Sequence, residues 1–333
     1  MKISVIIPVY NKARYLNNLL SDLLKQTFTG YECILIDDGS NDDSGQLCDN
    51  ISKIDNRFRT FHLINCGVSN ARNYGICQSE GDYITFVDAD DRLYPQYLEN
   101  LYKCITENNV EFVISGLEKY WTDSDRKEFI KYPYNGIKTK KEILSDLAQV
   151  QENNGIFGYS VGKIFKKDLA TGIEFDTSVK LAEDFDFYLK IYKRVNTFYF
   201  DDKCYYRYLQ VTDGSTSIIN DDKIDYLSQL KIRLRYRQFL MDEAVYSGDN
   251  RQIIDETISN YVYFVLFHSS LQRLYNNYSE LKKVIGDERL IISNKSFFQR
   301  WIITLYENNN KLLIKYSLAT YRLLAKIARK LRK

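Results

Sequence analysis

Short apolar runs alternate with amphipathic segments over the first 116 residues of the chain. The runs are rich in β-branched residues and almost continuously apolar, which is typical of parallel strands that helices cover on both faces. We therefore expect an α/β fold with a mostly parallel central sheet. The strands predicted from these runs are residues 3–9, 32–37, 59–64, 83–87 and 111–115.

Apolar residues at helical spacing lie between the predicted strands. Leucines recur three and four positions apart over residues 16–24, and a similar series follows Pro95, a residue suited to the first turn of a helix. Beyond residue 120 the alternation weakens. Residues 139–150 still indicate a helix, and residues 197–209 indicate a short strand pair.

The last third of the chain has a different pattern. Tyr, Leu, Lys and Asn recur there at helical periodicity, and turn signals are few. We therefore expect an α/β domain at residues 1–220, which carries the candidate chemistry, and a separate helical region at residues 221–333.

The composition is that of an ordinary globular protein, with 44% hydrophobic and 27% charged residues. The 46 Lys and Arg nearly balance the 44 Asp and Glu, so the overall charge does not indicate nucleic acid as a partner. Six cysteines occur without a CxxC pair, and we expect free thiols in a reducing compartment, the cytoplasm. The apolar run at residues 3–9 is expected to be a strand rather than a signal peptide, and no run approaches the roughly 18–20 apolar residues that span a bilayer.

Acidic residues directly follow the second predicted strand, at the sheet edge where open α/β folds bind ligands. These are Asp37 and Asp38, and Gly39 beside them permits a tight turn. Their carboxylates can accept hydrogen bonds from a ribose or a base. The same sequence is also common in plain turns, so a purely structural turn is the alternative.

A second acidic cluster, Asp88-Ala89-Asp90-Asp91, follows the fourth predicted strand. Carboxylates delivered to one edge repel one another unless a cation neutralises them. A hard divalent cation with oxygen ligands would do so while bridging to the diphosphate of a nucleotide. A solvated acidic turn is the alternative interpretation.

Residues 67–75 are predicted to open a helix that packs beside the nucleotide, and Arg72 lies in this segment. Arg72 could pair with Asp37 or Asp38, or could contact a phosphate group. An ordinary surface arginine beside a helix cap is the alternative.

In order and spacing, these segments resemble the family 2 glycosyltransferases of the GT-A fold, of the type that builds bacterial cell-surface and capsular polysaccharides. The resemblance is close over residues 3–115 and looser over residues 155–217, and the last third lies outside it. The segments that carry it are residues 4–11, the turn at Asp37, residues 69–75 and the Asp-x-Asp motif of Asp88, Ala89 and Asp90.

The resemblance implies transfer of a sugar from a nucleotide-diphosphate donor to an acceptor hydroxyl, with inversion at the anomeric carbon. Among donors it implies UDP by family frequency, and it implies Mn²⁺ or Mg²⁺ bound mainly by Asp90, with Asp88 near the ribose or the metal. The implied acceptor is a growing or lipid-linked cell-surface glycan. The donor-binding residues that follow from it are Pro8, Val9, Tyr10, Asp37, Asp38, Arg72, Asp88, Ala89, Lys163 and Arg207.

Inversion by a single displacement needs a base that accepts the proton of the acceptor hydroxyl. The resemblance places this base at Asp184, which follows Ala182 and Glu183 at the start of a predicted helix. Glu183 is the second candidate. The alternative is an acidic cluster that only stabilises the helix N-terminus.

Two cationic residues have weaker assignments. The resemblance puts Lys163 near the acceptor or the base, although a surface lysine fits the sequence almost as well. It puts Arg207 on a late strand, where the guanidinium would neutralise the leaving diphosphate beneath a closing loop at residues 215–217. Because the Gln-x-x-Arg-Trp motif of processive synthases is missing, we expect transfer of a single sugar.

Other functions were weighed against this one. The sequence has no Gly-x-Gly-x-x-Gly or Walker motif and no His beside a nucleophile motif, which argues against redox, phosphate-loop and triad chemistry. A sugar-phosphate nucleotidyltransferase would need a Gly-rich basic loop where Tyr10-Asn11-Lys12-Ala13 stands. A catalytically silent nucleotide-sugar or glycan-binding protein, or a scaffold, is the remaining alternative.

Residues 311–333 carry eight Lys and Arg and no acidic residue. Such a basic amphipathic helix could lie in an anionic membrane interface, close to a lipid-linked acceptor at the inner face of the cell membrane. It could equally pack on the preceding helices, and the helical region could support a homo-oligomer. The apolar residues at helical spacing are Leu312, Tyr316, Ala319, Leu323, Ile327 and Leu331.

Overall fold

The structure, a computed structural model, describes residues 2–210, 225–270, 273–286, 290 and 296–331. The chain divides into two compact units, Met1–Ile218 and Ile219–Lys333. None of the described helices is both long enough and apolar enough to cross a membrane. The six cysteines are free thiols.

The first unit is built on one sheet. Its strands are β1 (Ile3–Val9), β2 (Tyr31–Asp37), β3 (Phe58–His62), β4 (Tyr83–Phe86), β5 (Arg92–Leu93), β6 (Phe112–Trp121), β7 (Lys127–Ile130), β8 (Gly136–Thr139), β9 (Lys163–Lys166) and β10 (Thr197–Gln210). The order is β3-β2-β1-β4-β9-β6-β10-β5, with β7 paired to β6 and β8 paired to β10.

The predicted α/β fold is confirmed, and the sheet has a parallel half and a mixed half. Strands β3, β2, β1 and β4 run parallel. Beyond them, β9 is antiparallel to both β4 and β6, while β6 and β10 pair in parallel. The parallel half is the half that the alternation of apolar runs predicted, because its strands are separated by helices along the chain.

The helices of the first unit follow the leucine pattern where it is strong. They are α1 (Ala13–Leu24), α2 (Ser44–Ile54), α3 (Val68–Gln78), α4 (Tyr97–Glu107), α5 (Lys140–Leu144), α6 (Leu147–Asn154) and α7 (Glu183–Tyr192). In α1, Leu16, Leu19 and Leu23 are fully buried on the sheet side. The single helix expected at 139–150 is instead α5 and α6, and α6 ends at Gly155 with a φ of 71°, which glycine adopts without strain.

Two strand predictions were wrong beyond β4. Strand β6 continues six residues past the expected end at 115, because β10 and β7 supply it with partners that sequence spacing does not reveal. The expected strand pair at 197–209 is one strand, β10, whose register against β6 shifts between Asp201 and Tyr206. A bulge of this kind lets one strand bend without breaking.

Helix α3 approaches the sheet closely, which decides where its polar residues lie. A Cβ atom added to Gly75 would lie 2.3 Å from Cγ2 of Ile6 on β1. Only glycine permits this distance. The first turn of α3, with Arg72, is thereby held near the carboxyl ends of β1 and β4.

The described residues of the second unit form five helices and short connections between them. Its helices are α8 (Tyr226–Asp242), α9 (Gly248–His268), α10 (Leu274–Ile285), α11 (Phe297–Glu307) and α12 (Lys311–Leu331). Helix α11 begins with a capping box, in which the side chains of Ser296 and Gln299 each bond the other's backbone N–H. Ile314 and Leu318 of α12 are fully buried.

Candidate active site

The loops that follow β1 and β2 are joined by hydrogen bonds. The Asn11 N–H donates to Ser40 Oγ (3.0 Å), and the Asn41 N–H donates to Asn11 Oδ1 (2.8 Å). Asn11 has a φ of 52°, a conformation that Asn tolerates better than most residues. The Lys12 N–H donates to Ser44 Oγ (2.7 Å) at the start of α2. These bonds fix the two loops against each other.

Asp37 is buried at the end of β2 and held in its ionised form. It accepts a hydrogen bond from the Ser40 N–H (3.0 Å), and its Oδ2 lies 2.8 Å from Nδ1 of His62. Burial opposes ionisation, but the bonds to Ser40 and His62 outweigh it and lower the pKa of Asp37. The bonds of His62 to Asp37 and Asp49 in turn raise the pKa of His62.

Asp38 is also buried, and it closes the neighbouring loop. Its carboxylate accepts hydrogen bonds from the backbone N–H groups of Cys66 (2.9 Å) and Gly67 (2.8 Å), just before α3. The Asp38 N–H donates to the Val9 carbonyl oxygen (2.8 Å). Asp38 therefore ties together the chain segments that follow β1, β2 and β3.

Arg72 is buried and joins three chain segments that are far apart in sequence. One terminal nitrogen donates to Glu183 Oε1 (3.1 Å), and the other donates to Asp88 Oδ1 (3.3 Å) and Ser160 Oγ (3.1 Å). Of the possibilities considered for Arg72, pairing with Asp37 or Asp38 and an exposed position are both wrong, because α3 directs the buried side chain toward the end of β4 and the start of α7. We call Arg72, Asp88, Glu183 and Asp184 the acidic cluster.

Asp184 stands beside Arg72 and Glu183 in the first turn of α7. Removal from water and the neighbouring Glu183 raise the pKa of Asp184 to about 7, although Arg72 opposes the rise. Ala182, directly before the helix, has a φ of 61°, so the chain turns sharply where α7 begins. A carboxyl group with a pKa near 7 can gain and lose a proton at neutral pH.

The three aspartates after β4 have three different environments. Removal from water raises the pKa of Asp88, as does the nearby carboxylate of Asp90, while Arg72 lowers it. Asp90 Oδ2 lies 2.5 Å from the Lys12 ammonium nitrogen. Asp91 is buried, accepts hydrogen bonds from the Tyr206 hydroxyl (2.5 Å) and the Leu209 N–H (2.9 Å), and has a strongly raised pKa because of its burial.

Asp88 and Asp90 fit a divalent cation that arrives with a diphosphate. Within the described residues, no group of three or more His, Cys, Asp or Glu side chains is arranged to hold a metal ion. Mg²⁺ needs no such group, because one or two carboxylates together with substrate phosphates and water complete its coordination. Asp90 accepts a hydrogen bond from the Lys12 ammonium group.

Lys163 is almost completely buried on β9, and its ammonium group faces protein rather than solvent. It donates hydrogen bonds to the carbonyl oxygens of Ile156 (2.8 Å) and Tyr159, and it lies over the ring of Tyr188. Burial lowers the pKa of Lys163 to about 7, although Asp184 opposes the shift. The residue supports the segment that presents Ser160 to Arg72.

The structure does not bring Arg207 to the acidic cluster. Neighbouring residues on a strand point to opposite faces, and Tyr206 takes the face that reaches Asp91. Arg207 donates instead to Glu118 Oε1 (2.7 Å) and to the hydroxyl of Tyr94 (2.5 Å). Residues 215–217, expected in a closing loop, lie outside the described residues.

The remaining predicted donor residues lie at the ends of β1 and β4. Val9 and Ala89 are buried, whereas Tyr10 is exposed. Pro8 is half-buried. Lys12 and Tyr206 also belong to this region and were not predicted, although Lys12 lies three residues after the end of β1 and Tyr206 directly precedes Arg207.

Comparisons with known proteins agree on one family. Residues 4–168 match the family model described as Glycosyl transferase family 2. Glycosyltransferase GlyA of Streptococcus pneumoniae is 30% identical over 78% of this chain, and glycosyltransferase GlyG of the same species is 32% identical over 55%. The aligned region spans only 38% of GlyA and 62% of GlyG.

A third relative is the poly(ribitol-phosphate) β-N-acetylglucosaminyltransferase TarP of Staphylococcus aureus, 34% identical over 55% of each chain. Among solved structures, residues 1–349 of S. aureus TarS in complex with UDP superpose with a TM-score of 0.65. That superposition covers 97% of this chain and 92% of the other, at 19% identity. The likeness confirms the fold.

Proposed function

The chain belongs to the family 2 glycosyltransferases, and from this premise we propose that it moves a single sugar from a nucleotide-diphosphate sugar to an acceptor hydroxyl, with inversion. The observation that carries the proposal is the bridge made by Arg72. It joins Asp88 after β4 to Glu183 at the start of α7, the helix start that also carries the predicted base, Asp184.

The nucleoside of the donor would bind where the loops after β1, β2 and β3 meet. Asp37 and Asp38 hold these loops through hydrogen bonds, and an ionised Asp37 can accept a bond from a ribose hydroxyl or a base N–H. We propose uridine as the base. TarS, which has the same fold, was crystallised with UDP and with UDP-GlcNAc, which supports this choice.

Asp184 would act as the catalytic base. The acceptor oxygen attacks the anomeric carbon, the bond from that carbon to the diphosphate oxygen breaks, and the acceptor proton passes to the Asp184 carboxylate. A pKa of about 7 suits this role, because the group is partly ionised at neutral pH and still basic enough to take the proton. Glu183 bonds Arg72 and would position the helix start rather than take the proton.

Asp90, with Asp88 beside it, would hold Mn²⁺ or Mg²⁺. The ion would neutralise the negative charge that develops on the leaving diphosphate. Arg72 would keep Asp88 oriented, and the Lys12 ammonium group contacts Asp90.

The proposed acceptor is a growing cell-surface glycan or its lipid-linked precursor. Support comes from TarP, a relative that is named for transfer to poly(ribitol-phosphate). Six free cysteines support the cytoplasm as the compartment.

A donor panel tests the proposal. Purified protein is incubated with UDP-, GDP- and dTDP-sugars and with Mn²⁺ or Mg²⁺, and released nucleotide is measured. We expect slow hydrolysis of one UDP-sugar, which is lost in Asp184→Asn and retained in Asp123→Asn, a matched change in an exposed turn. Binding of a UDP-sugar without any release would favour a silent binding protein, and neither binding nor release would favour a scaffold.

A further inference from the structure

Helix α12 has two apolar sides, and only one of them packs on other parts of the chain that the structure describes. Ile314 and Leu318, four residues apart, are fully buried within the helical unit. The opposite side of the helix is exposed, with between 43% and 65% of each apolar residue open to solvent. The exposed apolar residues of this side are Leu312, Leu313, Tyr316, Leu323 and Leu324.

The sequence left open whether the apolar residues of α12 pack on the preceding helices or stay exposed. The apolar series that predicted the helix includes Leu312, Tyr316 and Leu323, and these residues are not the ones that pack. Packing on neighbouring helices and an exposed apolar side therefore coexist. Trp301 of α11 extends the exposed side, because its indole N–H donates to Ser317 Oγ (3.1 Å) while 43% of the residue stays exposed.

The charged residues of the same segment are all cationic. Residues 311–333 carry eight Lys and Arg and no Asp or Glu. In the described part of the helix, these cations contact neutral groups. The Lys311 and Lys315 ammonium groups lie 4.8 and 5.6 Å from the ring centres of Tyr278 and Tyr275, and Arg322 donates to the Ser269 carbonyl oxygen (2.7 Å). Their positive charge is therefore available to a partner.

We propose that the exposed side of α12 docks on an anionic lipid surface. Leucine and tyrosine side chains would enter the boundary between headgroups and acyl chains, while the lysines and arginines attract the headgroup phosphates. A second copy of the chain is a poorer partner, because a two-fold interface would bring two sets of eight cations together. The inference does not depend on the proposed catalytic activity.

Vesicle flotation tests the surface on the full chain. Vesicles of phosphatidylcholine alone are compared with vesicles that also contain phosphatidylglycerol. The variant carries Leu312→Asn, Leu323→Asn and Leu324→Asn, which leaves Ile314 and Leu318 intact. The control carries Ile54→Asn and Ile137→Asn, which remove exposed apolar residues on α2 and β8 of the first unit.

We expect flotation with phosphatidylglycerol vesicles only, weakening as salt is added. The partition coefficient should fall at least about tenfold in the α12 variant and stay unchanged in the control. Donor hydrolysis should be equal in all three proteins, which separates this test from the test of catalysis. Circular dichroism checks that the variant keeps its helices.

Two results would overturn the proposal. The first is an absence of flotation, or equal flotation of wild type and α12 variant. The second is a molar mass twice that of the monomer by light scattering, reduced to the monomer by the α12 substitutions. That outcome would assign the exposed side to a second copy of the chain.

Discussion

Two pairs of aspartates at the edge of one sheet are held in opposite ways. Asp37 and Asp38, after β2, are buried and satisfied by backbone N–H groups and a histidine, and the pKa of Asp37 is lowered. Asp88 and Asp184, which share the guanidinium of Arg72 with Glu183, have raised pKa values. Burial opposes ionisation at Asp37, Asp88 and Asp184. At Asp37 the bonds from Ser40 and His62 outweigh it, whereas at Asp88 and Asp184 neighbouring carboxylates add to it.

We propose that the first pair has a structural and recognition role and that the second pair has a chemical role. A carboxylate with several donors stays ionised and fixes the loops around it. A carboxylate that shares a single cationic side chain with other carboxylates keeps part of its negative charge unneutralised. Such a carboxylate can bind either a proton or a metal ion. We therefore expect substitutions in the second pair to affect the rate, and substitutions in the first pair to affect stability and nucleotide binding.

The largest effect is expected for Asp184→Asn. Loss of the base should lower the transfer rate by roughly 10³-fold, while donor affinity changes little, because the amide keeps the shape but cannot accept the proton. Steady-state kinetics and calorimetric donor binding measure the two effects. An equal loss of transfer rate in Asp123→Asn would mean that the rate depends on overall folding rather than on the catalytic base.

Asp90→Ala should have the next largest effect, with roughly 10²-fold slower nucleotide release. Calorimetry of UDP binding with and without Mn²⁺ supplies a second readout. In wild type, Mn²⁺ should tighten UDP binding, and removal of the ion with a chelator should reverse the gain. In Asp90→Ala, Mn²⁺ should make no difference. A variant that still responds to Mn²⁺ would place the ion elsewhere.

Arg72→Met should combine a smaller rate loss with a change in pH dependence. Removing the shared cation leaves Asp88, Glu183 and Asp184 uncompensated, which should destabilise the fold by about 3–5 kcal/mol. Because Arg72 lowers the pKa of Asp184, its removal should move the rising limb of the pH–rate profile to higher pH. Arg72→Lys should restore part of the shift. An unchanged limb would show that the titrating group is not in the acidic cluster.

Asp38→Asn should have the smallest effect on chemistry. The Cys66 and Gly67 N–H groups would lose a charged acceptor, at a cost of about 1–2 kcal/mol in the free energy of unfolding. Denaturant unfolding measures the cost, and we expect the transfer rate to change less than about threefold. A rate loss as large as that of Asp184→Asn would remove the distinction between the two pairs.

The parallel half of the sheet was predictable because its signals are local. Strand β1 was placed at its observed bounds, since an apolar run ending at Val9 is followed by polar residues. The mixed half could not be predicted from local signals. Strand β9 lies between β4 and β6 because it pairs with segments that are distant in the sequence. Nothing in the spacing of residues 111–121 shows how far β6 continues.

The sequence predicts which residues form the candidate site, but not which of their side chains contact one another. Strand ends and family spacing indicated Asp88, Asp90 and Asp184 as chemical residues, and their roles stay predictions. The partner of Arg72 depends on how closely α3 approaches β1 through Gly75, a distance that sequence does not contain. The face of β10 that Arg207 occupies also could not be predicted from the sequence. A shift of one residue along the strand moves a side chain to the opposite face.

The pH dependence of donor turnover tests the central claim most directly. Asp184 must be ionised to accept a proton, and its pKa of about 7 lies above the ordinary value for aspartate. The rate should therefore rise tenfold per pH unit below neutrality and level off above a midpoint near pH 7, and this rise should vanish in Asp184→Asn. A wild-type rate that is flat from about pH 5 to 9, or a rise that survives in Asp184→Asn, would contradict the account.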